Sequence, residues 1–530
     1  MIMKEINMIV PFLMMISYII CVVVLSYRAS FSKKAREKKI NQSFEDYYTA
    51  GKSMPAVVVG LLTIVTFYSG TTFTGRVGFC YNYGFVAITS IVSCSMVGII
   101  MYFLSEKIWP ISKKYHLSTL SDFMELRYET KWIKLLIACT ILSFNIIWLI
   151  TEIKTLGMVV NVASNSKISI EVGSIIAFSV IMLYVITGGI RSVAAVDSFS
   201  AVLMLCGSLI TVFYIAFHYY DGNIINIFAE VQKVAPEKII FDTNGIYTEP
   251  YWISSIIMSA ICMMVYPSNY MSICLAKDVK SVKKSALMAS LSGIWLVVFV
   301  VFAYAALGLS DSGLLVSNPE ESLLLMINNS GNALIMGLVT TFILAATLGT
   351  LDSTLISLSG IVSNDIFTNI KKIRAKEKCL GYYNYDEIKS TMEENGHNEV
   401  RLTRIIIFVL GIIAMILSQY ETLLMVLMVN YATNGLVQIV PLVIGGLYWR
   451  KATAKGAAVA LISGVSSYLL MEYLKVNIGG YFLSFPALLI NTIVFIVVSK
   501  LTFNPQNHTE HHERILNDFF NKESIDIIKK

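Results

Sequence analysis

The chain has 530 residues, of which 56% are hydrophobic and 14% charged, with a formal net charge of +6. A soluble chain carries roughly 25% charged residues, and a mean hydropathy of +0.68 leaves too little polar surface to clothe the cores this length would need. Disorder, a disulfide-held secreted module and a soluble enzyme are excluded together, and the chain is read as an all-α polytopic membrane protein.

In chain order, thirteen apolar stretches are long enough to be read as spans, near the roughly 20 residues that cross a bilayer. They fall at 7–27, 53–77, 84–106, 133–160, 168–188, 193–218, 251–276, 285–308, 331–362, 404–419, 422–448, 456–474 and 481–502. Alternate connections then lie on opposite sides. One set (28–52, 106–134, 189–192, 277–284, 363–404, 449–455 and 500–530) holds 34 of the 41 Lys and Arg residues. The other set, with the first six residues, holds five, and Arg76 and Lys154 fall inside spans. The positive-inside rule puts the basic set in the cytoplasm, the N-terminus outside and the C-terminus inside. The positive charge is therefore a topology signal, and no nucleic-acid partner is invoked. No small-residue cleavage site follows the first apolar run, so it is read as a span rather than a removed leader.

Seven of the eight cysteines sit in or beside spans, Cys379 lies in a basic connection, and no Cys-x-x-Cys spacing occurs. They read as small hydrophobes rather than a framework. His508, His511 and His512 share the polar tail with no further ligand nearby, which makes solvated histidines the better reading than a metal site.

Backbone that leaves the helix at membrane depth survives only where it faces protein or a water-filled hollow. Two stretches are expected to break. The 53–77 stretch is dense in Thr, Ser and Gly between Thr63 and Gly75. The 251–276 stretch carries Tyr266-Pro267-Ser268-Asn269, and Pro267 removes a backbone donor and clashes with the preceding turn. The two stretches run in opposite directions, five spans apart, which is the pattern of two inverted five-helix repeats whose discontinuous first helices build a central site. A small-residue packing face and a simple proline kink are the plainer alternatives.

Charges inside spans mark function because their burial is costly. Glu152 and Lys154 lie in the outer half of the 133–160 span, Asp197 near the cytoplasmic start of the 193–218 span, Asp352 in the 331–362 span, and Arg76 just after the first break. Ala346, Gly349, Thr350 and Ser353 fall at i, i+3, i+4 and i+7, on one helical face. Hydroxyls beside freed carbonyls make an oxygen-rich, weakly charged setting that suits a hard monovalent cation better than a divalent one. Close helix packing explains the same stripe. Asn430, Thr433, Asn434 and Gln438 share another face, read as lining a cavity or bonding a neighbour.

These residues resemble the sodium:solute symporter family over roughly 45–505. The run Ser69-Gly70-Thr71-Thr72-Phe73-Thr74-Gly75, with Gly78, Tyr81 and Gly84, is similar to the family's first core helix, and Thr119-Leu120-Ser121-Asp122-Phe123 with Arg127-Tyr128 to its second cytoplasmic loop. Gly188-Gly189-Ile190-Arg191-Ser192-Val193 with Asp197 resembles its glycine-pair turn and fifth helix. Gly349-Thr350-Leu351-Asp352-Ser353 resembles its eighth, and Pro441 with Trp449-Arg450-Lys451-Ala452-Thr453 and Gly456-Ala457 its late signature.

The resemblance implies the LeuT-type fold. The expected organisation is an extra N-terminal helix with a basic linker (1–52), a first inverted repeat (53–218), an extracellular loop (219–250), a second repeat (251–448, with the cytoplasmic loop 363–404), two C-terminal helices (449–503) and a cytoplasmic tail (504–530). It also implies a main cation site at Val65, Tyr68, Ala346, Gly349 and Thr350, with Na+ as coupling ion and no other cofactor. Gly349 departs from the family, which carries a Ser hydroxyl there. A second cation or proton site falls on Asp197, Asp352 and Ser353.

Substrate residues are expected at Phe67, Thr71, Arg76, Tyr266, Asn430 and Asn434. Phe67 stands where sugar carriers place an Asn, which argues against sugar. Arg76, with Lys154 as a second candidate, is suited to meet a carboxylate entering from outside, which favours a small anion or zwitterion such as an amino acid, a monocarboxylate or pantothenate. The expected function is cation-coupled uptake across a cell membrane. Proton coupling, or a transporter-like nutrient sensor signalling through 363–404 or 504–530, are the alternatives. The spans contain no Ser/His/Asp, paired-Asp or metal-ligand arrangement that would make an enzyme, and the Ile- and Lys-rich composition points to a bacterial source.

Overall fold

The computed structural model describes residues 2–31, 44–240, 248–311, 313–314, 316–376, 385–420, 425–504 and 510–521. Among these, ten helices are long and apolar enough to cross a bilayer. Two bent pairs each supply one more span, and the shorter apolar helix Ile170–Met182 covers the fifth expected stretch. Each of the thirteen apolar stretches thus has its helix. Cys379 and His508, and parts of the 363–404 loop and the tail, lie outside the described residues.

The first helix, α1, is Ile2–Phe31. The next span is two pieces, α2 (Ala56–Phe67) and α3 (Gly70–Ile88), bent by 55°. The helix stops because Tyr68 turns out of it (φ −96, ψ 67) and Ser69 is extended (φ −70, ψ 168). The hydroxyls of Thr63 and Thr66 donate back to the Val59 and Leu62 carbonyls at 2.7 and 2.9 Å, so these polar groups cost the buried segment little. Then follow α4 (Thr89–Lys114), the short α5 (Leu120–Tyr128) and α6 (Lys131–Ala163).

The fifth and sixth spans run on as one helical stretch, α7 (Ile170–Tyr219), kinked at Gly189 (φ 65, ψ −179). A side chain would not tolerate that backbone, and a Cβ there would also meet the Tyr47 ring at 2.9 Å. The expected glycine-pair connection is this kink.

The second bent pair is α8 (Glu249–Cys262) and α9 (Pro267–Leu275), at 42°. Tyr266 is extended (φ −64, ψ 125), as a residue before proline prefers to be. The helices α10 (Val279–Gly308), α11 (Ala333–Gly360), α12 (Tyr385–Ser418), α13 (Met425–Tyr448), α14 (Ala454–Tyr473) and α15 (Ser484–Thr502) complete the bundle. α11 lies at its centre, since 83% of the apolar window of its span is buried against 22% for α15.

Three expected connections hold more structure than hydropathy shows. The 219–250 loop contains an amphipathic helix, Ile224–Val234, with Ile227 and Val231 buried. α11 continues past Gly360 through a π-helical segment, Ile361–Thr368, to Arg374. The tail carries α16 (Glu510–Phe520), which buries Ile515, Leu516 and Phe519 and sets the Phe519 ring 5.2 Å from Phe123 of α5. Asp518 accepts hydrogen bonds from Lys114 Nζ and Tyr115 Oη at 2.6 Å each.

Candidate functional site

The first break faces α11 across a close contact. Thr350 Oγ1 donates to the Val65 carbonyl at 3.2 Å and lies 3.3 Å from the Ala346 carbonyl. Three of the five expected cation residues are therefore one oxygen cluster. Gly349 explains why the helices come so near: a Cβ there would stand 1.7 Å from Val65 Cγ1 and 3.0 Å from Asp197 Oδ1. Gly349 and Val65 are complementary, the missing side chain of one filled by the branched side chain of the other. Tyr68 is at the break by its backbone, while its hydroxyl reaches away to Ser292 Oγ at 3.0 Å.

Below this cluster Ser353 Oγ donates to Asp197 Oδ2 at 3.2 Å. Asp197 is fully buried, and its Oδ1 has no hydrogen-bond partner among the described residues. Asp352 is buried as deeply, close enough that the two carboxylate charges act on one another and both on Tyr18 of α1. Tyr18 Oη in turn pairs with Ser200 Oγ at 2.7 Å. The three expected second-site residues thus share one buried pocket with Tyr18, which nothing in an apolar first stretch singled out.

On the other side of the break a cavity of about 90 Å³ opens between α3, α4, α8 and α13. Its lining includes Ser69, Thr71, Arg76, Trp148, Trp252, Met263, Asn430 and Thr433. Arg76 donates to Cys94 Sγ at 3.5 Å and, among the described lining residues, supplies the one formal positive charge. Of the expected substrate residues, Thr71, Arg76 and Asn430 line this cavity. Phe67 and Tyr266 do not; both are buried, and Tyr266 packs edge-on against Trp148 with centroids 5.7 Å apart. Asn434 lines a separate cavity that shares Tyr251 and Asn430 with the first.

Glu152 has a place that sequence reasoning missed. It is fully buried in α6 and accepts from Gly70 N–H at 3.1 Å and Thr71 Oγ1 at 2.8 Å. It therefore caps the opening turn of α3 from a neighbouring helix, where the bare N–H groups and the helix dipole favour a negative charge. Lys154, two residues on, has its charge felt by Glu320 rather than lining the cavity. Burial pushes the Glu320 carboxyl up, offset by the Met425 N–H, which donates to it at 2.6 Å, and by Lys154.

A separate ion cluster joins α5, α6 and the segment after α11. Lys134 Nζ lies 2.6 Å from Asp122, 3.2 Å from Glu125 and 3.7 Å from Asp365, all nearly or fully buried. Thr119 Oγ1 donates to Asp365 at 3.0 Å and Asn364 Nδ2 to Asp122 at 3.0 Å. Burial alone would raise the Asp122 carboxyl; the Lys134 ammonium and the Ser118 and Thr119 N–H groups outweigh it and hold it below the usual range. His511 and His512 of the tail face Glu129, at 3.6 and 2.8 Å.

The model of the sodium:solute symporter family matches residues 47–384 and 381–464. The uncharacterized symporter YodF of Bacillus subtilis (strain 168) is 22% identical over 466 residues, covering 88% of this chain and 89% of that protein. The sodium/pantothenate symporter of Escherichia coli (strain K12) is 22% identical over 501 residues, covering 92% and 95%. Among solved structures, a Na+-coupled sialic acid symporter in a substrate-bound outward-open state superposes with a TM-score of 0.74 at 18% identity, over 94% of this chain and 98% of that one. That likeness is one of fold, and it carries the LeuT-type architecture of two inverted five-helix repeats.

Proposed function

The chain belongs to the sodium:solute symporter family, and from that premise we propose that it imports a small organic solute by alternating access, driven by Na+ bound between the first break and α11. Membership makes it a multi-pass membrane transporter and not an enzyme. The observation that carries the proposal is the oxygen cluster of Val65, Ala346 and Thr350, with the buried Asp197 carboxylate turned toward Gly349 beside it. A small cation bridging these oxygens ties α2 to α11, and its release frees one from the other.

We take residues 53–218 and 251–448 as the inverted repeats, with the N-terminus outside, the C-terminus in the cytoplasm and the 90 Å³ cavity facing outward. The buried cluster of Lys134, Asp122, Glu125 and Asp365 then closes the cytoplasmic side. Inward movement of one positive charge gains about 2.3 kcal/mol per 100 mV before any concentration gradient. Substrate docks against Ser69, Thr71 and Asn430, with Arg76 meeting its negative end, so the favoured solutes are zwitterions or small anions: an amino acid, a monocarboxylate or a pantothenate-like acid. Phe67 and Tyr266 act behind the wall, Tyr266 by setting the tilt of Trp148.

The test is uptake of a radiolabelled solute panel into proteoliposomes, with Na+ replaced by choline at fixed pH. Uptake that follows an imposed Na+ gradient supports the proposal; no Na+ dependence for any solute sinks it. Asp197→Ala and Thr350→Ala should each weaken ion-stimulated uptake more than they weaken expression. The pairing of two buried carboxylates, Asp197 and Asp352, favours one second reading, in which a proton rides with the solute. Uptake driven by a pH gradient in choline medium would select it.

A further inference from the structure

Beside the central cavity lies a larger one, about 240 Å³, between the Glu249 end of α8, the middle of α13, the Tyr473 end of α14 and the start of α15. Nothing in the transport reading uses it. Its wall carries Tyr251, Asn430, Tyr431, Asn434, Glu472 and Phe482. Among the described lining residues Glu472 is the one carboxylate, and no Lys or Arg is present. The Glu472 charge acts on Tyr251 and on Tyr468 across the same space. The Tyr251 and Phe482 rings meet edge to face, centroids 5.2 Å apart, so they form one corner of the wall. Asn434 is buried beside them.

A carboxylate and aromatic rings are electron-rich, and none of the described lining residues offers a positive charge. Such a wall repels an anion and has no cation of its own to neutralise. An organic ammonium satisfies it: the carboxylate takes the charge, and the ring faces attract the cation through their quadrupoles. At 240 Å³ the space is far larger than a bare metal ion needs. Glu472 lies at the end of α14, where a lone charge keeps its solvation, so the site is reachable without unfolding a helix.

We propose that this cavity is a second binding site, specific for an ammonium group, that adjoins the central cavity through Tyr251 and Asn430. Either a free amine or the headgroup of an ethanolamine lipid supplies that chemistry. Occupancy presses on Tyr251 and Asn430 and so reports to the central cavity without entering it.

The experiment uses the full chain in phosphatidylglycerol nanodiscs. Tetramethylammonium chloride is titrated against potassium chloride at constant ionic strength, and the fluorescence of Trp252, which adjoins Tyr251 in the central wall, is followed. A saturable change is expected with tetramethylammonium and none with potassium. Glu472→Gln should weaken it about tenfold, the loss of one charge-assisted contact, and Glu472→Asp should restore most of it. Tyr431→Leu, which removes a ring but no charge, should weaken it less. Thermal unfolding of each variant separates a lost site from a lost fold. No saturable change, or one that Glu472→Gln leaves untouched in a folded protein, overturns the proposal. Loss of the signal in phosphatidylethanolamine discs assigns the natural ligand to the headgroup, and its persistence assigns it to a free amine. The readout needs no transport, so its failure leaves the symport reading standing, and the reverse holds too.

Discussion

The two helix breaks look alike at low resolution and are held by different means. The first, between α2 and α3, is tied to other helices: Glu152 of α6 caps the start of α3, and Thr350 of α11 bonds the end of α2 at Val65. The second, between α8 and α9, packs Tyr266 on Trp148 of α6 and bonds Cys262 Sγ to the Thr433 carbonyl at 3.6 Å, but its freed backbone is satisfied by its own chain. Pro267 starts the second piece, and Asn269 Nδ2 donates to the Met263 carbonyl freed by the gap, at 2.7 Å. A break tied to its neighbours transmits what binds there, whereas a break that satisfies itself is a hinge. Changes at the first should therefore alter ion response, and loss of the second's own backbone bond should alter stability more than ion response.

The largest expected effect breaks the tie to α6. Glu152→Ala removes the acceptor of two buried donors, Gly70 N–H and the Thr71 hydroxyl, at about 1–3 kcal/mol for each. Uptake should fall beyond what lower expression explains, with Glu152→Gln milder because its amide oxygen still accepts one bond. Thermal unfolding beside uptake measures both. Glu152→Ala with unchanged solute affinity would make the first break no more coupled than the second.

Next comes the tie to α11. Gly349→Ser drives a side chain into Val65, an overpacking cost of about 1–3 kcal/mol. Val65→Ala added to Gly349→Ser makes room and puts a hydroxyl beside Asp197. The double variant should recover stability and bind Na+ at least as well as the wild type, read as the Na+-dependent rise in unfolding temperature. A double variant no better than Gly349→Ser would refute the complementarity of the two residues.

Much of this was legible in the sequence. The first break announced itself by its run of small and hydroxyl residues, the second by Pro267, and Asp197, Thr350 and Ser353 by shared helical faces or a buried charge. What stayed hidden follows from the breaks themselves. Once Tyr68 leaves the helix the 3.6-residue phase is reset, so the faces of Phe67 and Thr71 cannot be inferred from one another; one is buried behind the wall and the other lines it. Asn430 and Asn434 do share a face, but Tyr251 divides the space before them into two cavities. Glu152 lies about eighty positions from its partners, beyond any local spacing rule. The π-helical segment after Gly360 carries polar residues into a buried ion cluster, which hydropathy reads as the end of a span.

The ion cluster around Lys134 serves as a control, since its ion pairs join α5, α6 and the segment after α11 rather than the residues of either break. Asp122 is held below the usual carboxylate range, so its contribution is fully present above that range and is lost as pH falls through the folded value. Acid should lower the unfolding temperature there, and Asp122→Asn should flatten part of that slope. The effect is smaller than those at the first break, because Glu125 and Asp365 remain to hold Lys134.

The smallest effect belongs to the second break. Asn269→Ala removes the bond to the Met263 carbonyl, and that carbonyl lies in a gap where no α-helical donor replaces it. The loss is about 1 kcal/mol, the net worth of one internal hydrogen bond. It falls on a segment whose other supports, the fixed φ of Pro267 and the packing of Tyr266 on Trp148, are untouched. The Na+ concentration for half-maximal uptake should therefore stay at the wild-type value while the unfolding temperature drops by a few degrees. A shift in Na+ dependence with little change in stability would show that the second break also carries the ion's signal, and that the two halves of the molecule are coupled more evenly than their contacts imply.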